Sequence, residues 1–331
     1  MKNVLLIASL SERYYFEPFL NVYKNKDINI HICDPSRYPT KATMCAIQDK
    51  AGCIHGYIDT VLLQNGSVIE SSISFSDIHI AWYLRENFNN LRNAISNNIE
   101  SRFSNNETRQ TLRAIFSTLQ CKWVNKRESI ECVNSNKFFQ QSVAANCGLL
   151  VPKTIISNNH KEVYNFSDPK KGLLLKSVGY IKLDDDGKLA LYSERFFNEE
   201  LSSSSNAIQS CPVYGQEYIE KLYEYRVMVI GSNVLSCRID SQASRKTMVD
   251  WRHYDFENVE HKCVQLPSQI QDKLRNFMIA VDLKYGAIDL IETHEKDFIF
   301  LEVNPSGQWG WIADIAGLPI SNAVAEMLEV M

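Results

Sequence analysis

Two apolar runs late in the chain alternate with polar positions, and each contains one acid where an aliphatic residue is expected. Residues 285–293 read YGAIDLIET around Asp289, and residues 298–304 read FIFLEVN around Glu302. This alternation predicts two β-strands. Because burying an ionised carboxylate without a partner costs several kcal/mol, we expect each acid to have one.

A register argument makes the two acids neighbours. The polar residues 294–297 predict the loop of an antiparallel hairpin. With that loop, Thr293 faces Phe298, and counting outward Asp289 faces Glu302. Directly opposed residues lie on one face of a hairpin, with Cβ atoms about 5 Å apart. Two adjacent carboxylates repel each other, so we expect a positive charge between them.

The face that carries Glu302 suits a hard metal ion. Strand alternation places Phe300, Glu302 and Asn304 on that face. With Asp289, the Glu and Asn oxygens form a ligand set that favours Mg²⁺ or Mn²⁺ over zinc. A protonated pair of acids and a surface hairpin with both acids in solvent are the alternatives.

The first third of the chain has the pattern of an α/β domain. Apolar strands are predicted at Lys2–Leu10, Ile28–Asp34 and Asp77–Leu84, and helical patterns alternate with them. Such alternation favours a parallel sheet. No GxGxxG follows the first strand, so a dinucleotide site is not expected.

Two lysines in the middle of the chain lie where an anion is expected. A helix is predicted from Ser135 to Cys147, with Lys137 in its first turn, where the helix dipole disfavours a cation and invites an anionic partner. Lys176 lies among leucines in a strand predicted at Gly172–Val178. A phosphate would offset a buried charge there; an exposed edge strand is the alternative.

Arginines accompany the next predicted strands. Residues 225–238 predict two alternating strands around a turn at 231–233, with Arg226 near the start, Arg238 at the end and Arg252 farther on. Lysines, arginines and a paired-acid metal site are the groups that phosphate chemistry uses. The sequence contains neither GxxxxGK[ST] nor the protein-kinase motifs.

Composition excludes several classes of function. The chain has 331 residues, enough for about two or three domains. A net charge of -4 gives no basic field for nucleic acid. No apolar stretch reaches the roughly 18–20 residues of a membrane span. Nine scattered cysteines, without a CxxC pair or an export signal, favour reduced thiols in a cytoplasm.

Three stretches resemble the ATP-grasp superfamily, in particular the graspetide ligases that macrocyclise microviridin-type peptides. They are WVN followed by VNSNKFFQQSVAANCGLLVPKTIISN, then QEYIEKLYEYRVMVIG, and finally YGAIDLI followed by FLEVNPSGQWGWI. The likeness spans residues 120–331. It implies an α/β chain of ATP-grasp type, with an N-terminal α/β domain at 1–120 and two α+β subdomains at 121–219 and 220–331 that clamp ATP.

The same resemblance implies a role for each candidate site residue. Lys137 and Lys176 would contact the ATP phosphates, and Arg226 would hold them in the acyl-phosphate step. Arg238 and Arg252 would act on the substrate side and complete a catalytic set with Lys176 and Arg226. Glu217 and Ile219 would present backbone groups to adenine at the hinge, with Gln216 and Tyr218 beside them in the nucleotide site. The other implied roles are a position near the ribose for Glu224 and ligation of Mg²⁺ or Mn²⁺ by Asp289, Glu302 and Asn304.

The implied activity is ATP-dependent activation of Asp or Glu side chains in a ribosomal precursor peptide that carries a leader. The acyl phosphates would then form ester or amide cross-links within the peptide. A RimK-like ligase that joins free amino acids or amines to a carboxylate is the main alternative, and a nucleotide-binding regulatory module is another. The resemblance also implies a homodimer. The polar segment 182–191 would dock the leader or form a plain surface hairpin.

Overall fold

The computed structural model describes residues 2–22, 27–64, 67–85, 99–134, 136–177 and 192–331. The predicted hairpin at 182–191 lies outside these ranges. The described chain divides into two compact units, Met1–Arg127 with Pro319–Met331, and Glu128–Leu318. The three domain boundaries implied by the resemblance stay a prediction.

The described chain contains both β-strands and α-helices. The strands are β1 (Lys2–Ala8), β2 (Ile28–Cys33), β3 (Met44–Gln48), β4 (Ile54–Gln64), β5 (Ser67–Ser74), β6 (Ile80–Arg85), β7 (Lys122–Trp123), β8 (Thr154–Ser157), β9 (Leu173–Lys176), β10 (Glu194–Phe196), β11 (Val213–Glu217), β12 (Lys221–Ile230), β13 (Asn233–Ile239), β14 (His261–Val264), β15 (Tyr285–Thr293) and β16 (Phe298–Asn304). The α-helices are α1 (Glu17–Val22), α2 (Ile99–Thr118), α3 (Arg127–Val133), α4 (Lys137–Asn146), α5 (His160–Phe166), α6 (Asn198–Ser203), α7 (Ser205–Ser210), α8 (Ser268–Ala280), α9 (Gly310–Ala316) and α10 (Ile320–Val330).

The first unit is built on a mixed sheet. Its described strands run in the order β3-β4-β2-β1-β6-β7, and β5 pairs with β4. β1 pairs in parallel with β2 and β6, as the α/β pattern predicts. All residues of Val4–Ala8 are buried, which is typical of a parallel strand covered on both faces. Helix α10 belongs to this unit although it ends the chain.

The second unit contains two antiparallel sheets in its described part. Four strands run in the order β10-β9-β11-β8, and five run in the order β14-β13-β12-β15-β16. Leu274, Phe277 and Met278 of α8 pack into one apolar core with Val229 and Ile288 of the five-stranded sheet. The helical spacing of apolar residues in α8 therefore serves to cover one face of that sheet.

The β15–β16 hairpin confirms that Asp289 faces Glu302. Its loop spans residues 294–297, as predicted. A β-bulge at Leu301 inserts one residue into β16 without a partner on β15. The bulge lies directly beside Glu302, so it sets the direction in which this acid points.

The same bulge makes two details of the predicted register wrong. Between the loop and the bulge, Glu292 rather than Thr293 faces Phe298. Phe300 packs in the apolar core and does not share the face of Glu302. The extra residue shifts the alternation of the strand by one position, which a strict two-residue period does not anticipate.

No helix in the described ranges has the length and apolar composition that a membrane crossing requires. All nine cysteines, each of which lies in the described ranges, are free thiols.

Candidate active site

The face of the five-stranded sheet that points away from α8 is termed the pocket face. Arg226 of β12 lies opposite Asp289 of β15, which in turn lies opposite Glu302 of β16. Directly paired residues share a face, so the three side chains form one row across the sheet. Arg226 Nη1 donates to Asp289 Oδ1 at 2.9 Å, and both side chains are 10% exposed. Arg226 thus supplies a positive charge next to the paired acids.

Helix α4 supplies a second cation. Asn136 caps the helix by accepting a hydrogen bond from Phe139 N at 3.2 Å. In the first turn fixed by this cap, Lys137 Nζ lies 3.0 Å from Glu302 Oε2 and donates to Ser177 O at 3.4 Å. Glu302 is therefore the anionic partner of Lys137 in this structure.

Gln140 docks α4 against the hairpin, a role that the sequence analysis did not identify. Its Nε2 donates to Val133 O at 2.7 Å and to Val303 O at 3.2 Å, and its Oε1 accepts from Val303 N at 2.8 Å. The side chain is buried. Since Gln140 lies one turn after Lys137 and Val303 follows Glu302, these bonds hold Lys137 close to Glu302. A glutamine beside the apolar stripe of the helix is the signal that could have identified this contact.

The two acids have pKa values displaced in opposite directions. Burial raises the pKa of Asp289, and the nearby charge of Glu302 adds to this, although Arg226 opposes both. Burial also acts to raise the pKa of Glu302, but the charges of Lys137 and Lys176 help to outweigh it and lower the pKa. Two adjacent carboxylates repel each other, so a positive charge bound near one of them also stabilises the ionised form of the other. A divalent cation between them would favour the ionised form of both.

Lys176 reaches the same pocket from β9. This strand lies between β10 and β11, so the alternative of an exposed edge strand is excluded. Burial, together with the charge of Lys137, lowers the pKa of Lys176 to about 8. An anionic ligand would favour the charged form again, which supports Lys176 as a phosphate contact.

Asn304 ends β16 two residues after Glu302, on the pocket face. Its side chain is exposed, and its Oδ1 accepts from Ser306 N at 2.9 Å. No group of three His, Cys, Asp or Glu side chains in the described part of the chain could hold a metal ion. A metal here would therefore use two carboxylates and this amide, an oxygen-only set that suits Mg²⁺. Within the same described part, Arg226 Nε is buried and has no hydrogen-bond partner, so an anion reaching it would satisfy the donor.

The turn after β16 packs closely against Arg226. The Tyr285 hydroxyl donates to Gly307 O and ties the turn to β15. A Cβ at Gly307 would lie 2.4 Å from Ala287 Cβ and 2.8 Å from Arg226 Nη2. Only a residue without a side chain lets the turn approach the guanidinium this closely.

The residues expected to bind adenine line one wall of the pocket, at the end of β11 and just after it. They are Gln216, Glu217, Tyr218 and Ile219. Glu217 Oε1 accepts from Lys153 N at 2.8 Å, and Gln216 Nε2 donates to Thr154 Oγ1 at 3.2 Å. These bonds fix the wall, while its contact with adenine stays a prediction.

Glu224 lies deeper in the pocket beside a lysine that the sequence analysis did not single out. Lys221 Nζ lies 2.7 Å from Glu224 Oε1 and donates to Val249 O at 3.1 Å. Burial raises the pKa of Glu224, and Lys221 opposes the shift. Lys221 therefore helps to keep the predicted ribose contact ionised.

Asp250 holds Arg252 at the pocket wall. Arg252 Nε donates to Asp250 Oδ1 at 2.8 Å, and a second hydrogen bond joins Arg252 Nη2 to Asp250 Oδ2. Asp250 Oδ2 also accepts from Ser193 N at 3.1 Å. Burial would raise the pKa of Asp250, but the hydrogen bonds and charge of Arg252 hold it well below its usual range. Asp250 was not among the predicted residues, although its spacing from Arg252 was a visible signal.

The structure does not bring Arg238 together with the other predicted catalytic residues. It lies opposite Tyr225, whose ring packs into the apolar core on the other face of the sheet. The guanidinium lies 4.2 Å from the Tyr223 ring centroid and 3.4 Å from Glu260. The turn at 231–232 already determines this pairing, so the sequence contained the signal that separates Arg238 from Arg226.

One pocket nevertheless brings most of the predicted residues together. Its lining includes Lys137, Lys176, Gln216, Glu217, Tyr218, Ile219, Glu224, Arg252, Asp289 and Glu302. Arg226 joins them through its ion pair with Asp289. The arrangement combines a polar wall, a set of cations and a pair of acids, which are the elements needed to hold a nucleotide and transfer a phosphoryl group.

Comparison with known proteins places this pocket in a known fold. No protein-family model matches the chain, and no curated protein matches it. The macrocyclase MdnC from Microcystis aeruginosa MRC, solved with the precursor peptide MdnA, is 24% identical, with 99% of this chain and 100% of that chain covered and a TM-score of 0.82. A RiPP-associated ATP-grasp ligase from Chryseobacterium gregarium, solved with ADP and a leader and core peptide, is 22% identical, with 99% and 96% covered and a TM-score of 0.85.

A third similar structure extends this pattern. The ATP-grasp ligase PsnB, solved with a minimal precursor, Mg and ADP, is 16% identical, with 98% of this chain and 96% of that chain covered and a TM-score of 0.71. Sequence identities in this range establish the fold alone. The roles of individual residues must be argued from the geometry of the site. The chain has the ATP-grasp fold, and the predicted fold class is confirmed.

Proposed function

We propose that this chain is an ATP-dependent carboxylate ligase that cross-links a ribosomal precursor peptide through its Asp or Glu side chains. The observation that carries the proposal is the row of Arg226, Asp289 and Glu302, with Lys137 beside Glu302 at 3.0 Å. It lies in a fold shared with ligases that were solved with precursor peptides. The shared fold supports a ligase reaction, and the row of Arg226, Asp289 and Glu302 provides the charged groups for it.

ATP fits the distribution of charge in the pocket. Lys137 and Lys176 would contact its phosphates, the hinge wall from Gln216 to Ile219 would receive adenine, and Glu224 would contact the ribose. Asp289, Glu302 and Asn304 would hold Mg²⁺, with Mn²⁺ as a substitute, because their oxygens form a hard ligand set. When bound there, the metal would offset negative charge on the phosphates.

The first chemical step would activate the peptide carboxylate. One carboxylate oxygen attacks the γ-phosphorus of ATP, the bond from that phosphorus to the β,γ-bridging oxygen breaks, and ADP leaves. Arg226 lies next to the acids and Arg252 lines the pocket, so both are placed to offset charge on the transferring phosphoryl group. The product is an acyl phosphate on the peptide.

The second step would form the cross-link. A hydroxyl or amine of the same peptide attacks the acyl carbon, inorganic phosphate leaves, and the nucleophile loses its proton to the departing phosphate or to solvent. The chain needs no nucleophile of its own for this reaction. Its contribution is to hold the two peptide groups together and away from water.

The test is incubation of the purified chain with ATP, Mg²⁺ and a short peptide encoded beside its gene that contains Thr, Ser or Lys with Asp or Glu. We expect one ADP per cross-link and loss of the mass of one water for each, read by mass spectrometry. A gain in mass by free amino acids would instead identify a RimK-like ligase and contradict the proposal.

The controls separate chemistry from folding. Glu302→Gln should abolish the mass loss. Asp272→Asn, which changes an exposed carboxylate of α8, should retain it. Equal activity in both variants would contradict the assigned roles.

A homodimer and a cytoplasmic location belong to the same proposal. Sedimentation of the purified chain tests the first, with a mass of twice 38.0 kDa expected. Fractionation of the source cells tests the second.

A further inference from the structure

A cluster of rings lies beside the pocket and has no part in the chemistry described so far. This aromatic cluster consists of Trp251, Tyr254, Phe256, His261 and Trp311. Ring centroids are 5.4 Å apart for Trp251 and Trp311, and 5.1 Å apart for Tyr254 and Phe256. These spacings are those of packed aromatic side chains, so the rings support one another.

The aromatic cluster belongs to the pocket face. His261 on β14 lies opposite Ile239 on β13, which lies opposite Glu224 on β12. Trp251 lines the pocket next to Arg252. A ligand in the pocket can therefore extend onto the rings without leaving the surface.

Tyr254 also lies close to the charged end of the pocket. Burial raises the pKa of its hydroxyl, and the charges of Arg226 and Arg252 oppose the shift. The hydroxyl is thus within electrostatic range of both arginines. Trp251, whose ring centroid lies 5.7 Å from that of Tyr254, lines the pocket next to Arg252, so the rings border the wall that carries Arg252.

Two members of the aromatic cluster are about half exposed to solvent. Tyr254 is 47% exposed and Phe256 is 50% exposed, whereas Trp251 is 8% exposed. The buried rings hold the exposed pair in place, so little side-chain freedom would be lost on binding. Rigid, exposed aromatic rings beside arginines are typical of binding surfaces.

We propose, on the basis of the ligase function above, that Tyr254 and Phe256 bind a bulky apolar side chain of the peptide substrate, next to the carboxylate that reacts. Neighbouring residues of an extended peptide are about 3.3–3.6 Å apart along the chain. A bulky side chain next to an acid held near Arg226 and Arg252 is therefore within reach of the exposed rings. The aromatic cluster selects which acid is activated.

Charge complementarity favours this occupant over a second copy of the chain. The arginines beside the rings attract a carboxylate, and an acid next to an apolar residue offers both groups in one segment. The apolar contact with the rings favours peptides that carry a bulky apolar residue beside the acid. The arginines bind the acid itself.

The test is calorimetric titration of the full chain with three peptides. They are Gly-Ser-Trp-Glu-Gly-Ser, the same peptide with Ala in place of Trp, and the same peptide with Gln in place of Glu. Burial of the indole should make the Trp-Glu peptide bind about tenfold more tightly than the Ala-Glu peptide. Phe256→Ala should reduce this preference to about twofold or less while keeping the preference for Glu over Gln.

The matched control is Phe103→Ala, which removes a phenylalanine of α2 that is 66% exposed and lies outside the aromatic cluster. It should keep the tenfold preference. Phe256→Tyr should also keep it, because the ring remains.

Three results would overturn the proposal. They are equal binding of the Trp-Glu and Ala-Glu peptides by the unmodified chain, survival of the preference in the Tyr254→Ala Phe256→Ala double variant, and a dimer that dissociates when Phe256 is replaced by Ala. The titration needs no turnover. Failure of the ligase reaction therefore appears in the mass-spectrometry test, and failure of the ring site appears here.

Discussion

The two faces of the five-stranded sheet use alternate residues of the same strands for different purposes. On the face toward α8, Val227, Ile288 and Leu290 are buried in an apolar core. On the pocket face, Arg226 and Asp289 are also buried but carry opposite charges. Apolar burial stabilises the first face directly, whereas a buried ion pair offsets its own desolvation only in part. The difference indicates that the pocket face is maintained for its chemistry and the core face for stability.

The largest expected effect is loss of turnover when the pocket face loses a charge. Asp289→Asn keeps the shape of the side chain and an acceptor for Arg226 Nη1. Because it removes half of the carboxylate pair, we expect turnover to fall about 100- to 1000-fold. Coupled measurement of ADP release checks this, and circular dichroism checks that the variant is folded. Unchanged turnover in a folded variant would contradict the metal assignment.

The next largest expected effect is a loss of folding stability when a buried side chain on the core face is shortened. Ile288→Ala removes buried methyl groups next to Asp289 in sequence, and we expect it to destabilise the fold by about 2–4 kcal/mol. Turnover per folded molecule should stay within about twofold, because the side chain points away from the pocket. Urea unfolding and activity at low temperature measure the two quantities. A large loss of turnover without loss of stability would show that the faces are not separable.

A smaller effect is expected from the pH dependence of nucleotide binding. The pKa of Lys176 is lowered to about 8, so its charge is present below that pH and lost above it. Because phosphates favour the charged form, affinity for ADP should fall about tenfold between pH 7 and pH 9. Titration calorimetry at each pH measures the fall. Lys176→Arg should flatten the profile, since arginine keeps its charge; the same slope in this variant would assign the titration to another group.

The smallest effect is expected from Arg238. Its side chain lies on the core face at the rim of the sheet, over Tyr223 and near the exposed Glu260. Arg238→Ala should change turnover by no more than about threefold, because surface ion pairs contribute little. Arg252→Ala is the matched comparison on the pocket side and should reduce turnover much more. Similar losses in both variants would return Arg238 to the catalytic set.

Sequence periodicity predicted local pairing well, because strands joined by short turns have few registers available. The turn at 231–232 and the loop at 294–297 each bring a strand back on its neighbour. The predicted pairing of Asp289 with Glu302 is correct because the bulge at Leu301 offsets a one-residue shift in register next to the loop. The bulge at Leu301 was not predicted, because it depends on hydrogen bonds to a partner strand.

Contacts between distant segments required the tertiary structure. Gln140 meets Val303 across 163 positions of sequence, and Asp250 meets Ser193 across 57. The sequence pattern of one segment does not indicate which distant segment it will contact. These contacts nevertheless orient Lys137 and Arg252, two cations that the sequence had singled out.

The sequence by itself therefore determined several strands and helices, the paired acids and the lysines that need an anion, because each is a matter of local periodicity or of a charge in an apolar run; the ATP-grasp fold was implied by resemblance. The tertiary structure decided which face each charge occupies, which cation meets which acid, and that five aromatic rings gather beside the pocket. The physical reason is that the free energy of a buried charge or ring depends on its neighbours in space, and those neighbours come from several distant parts of the chain.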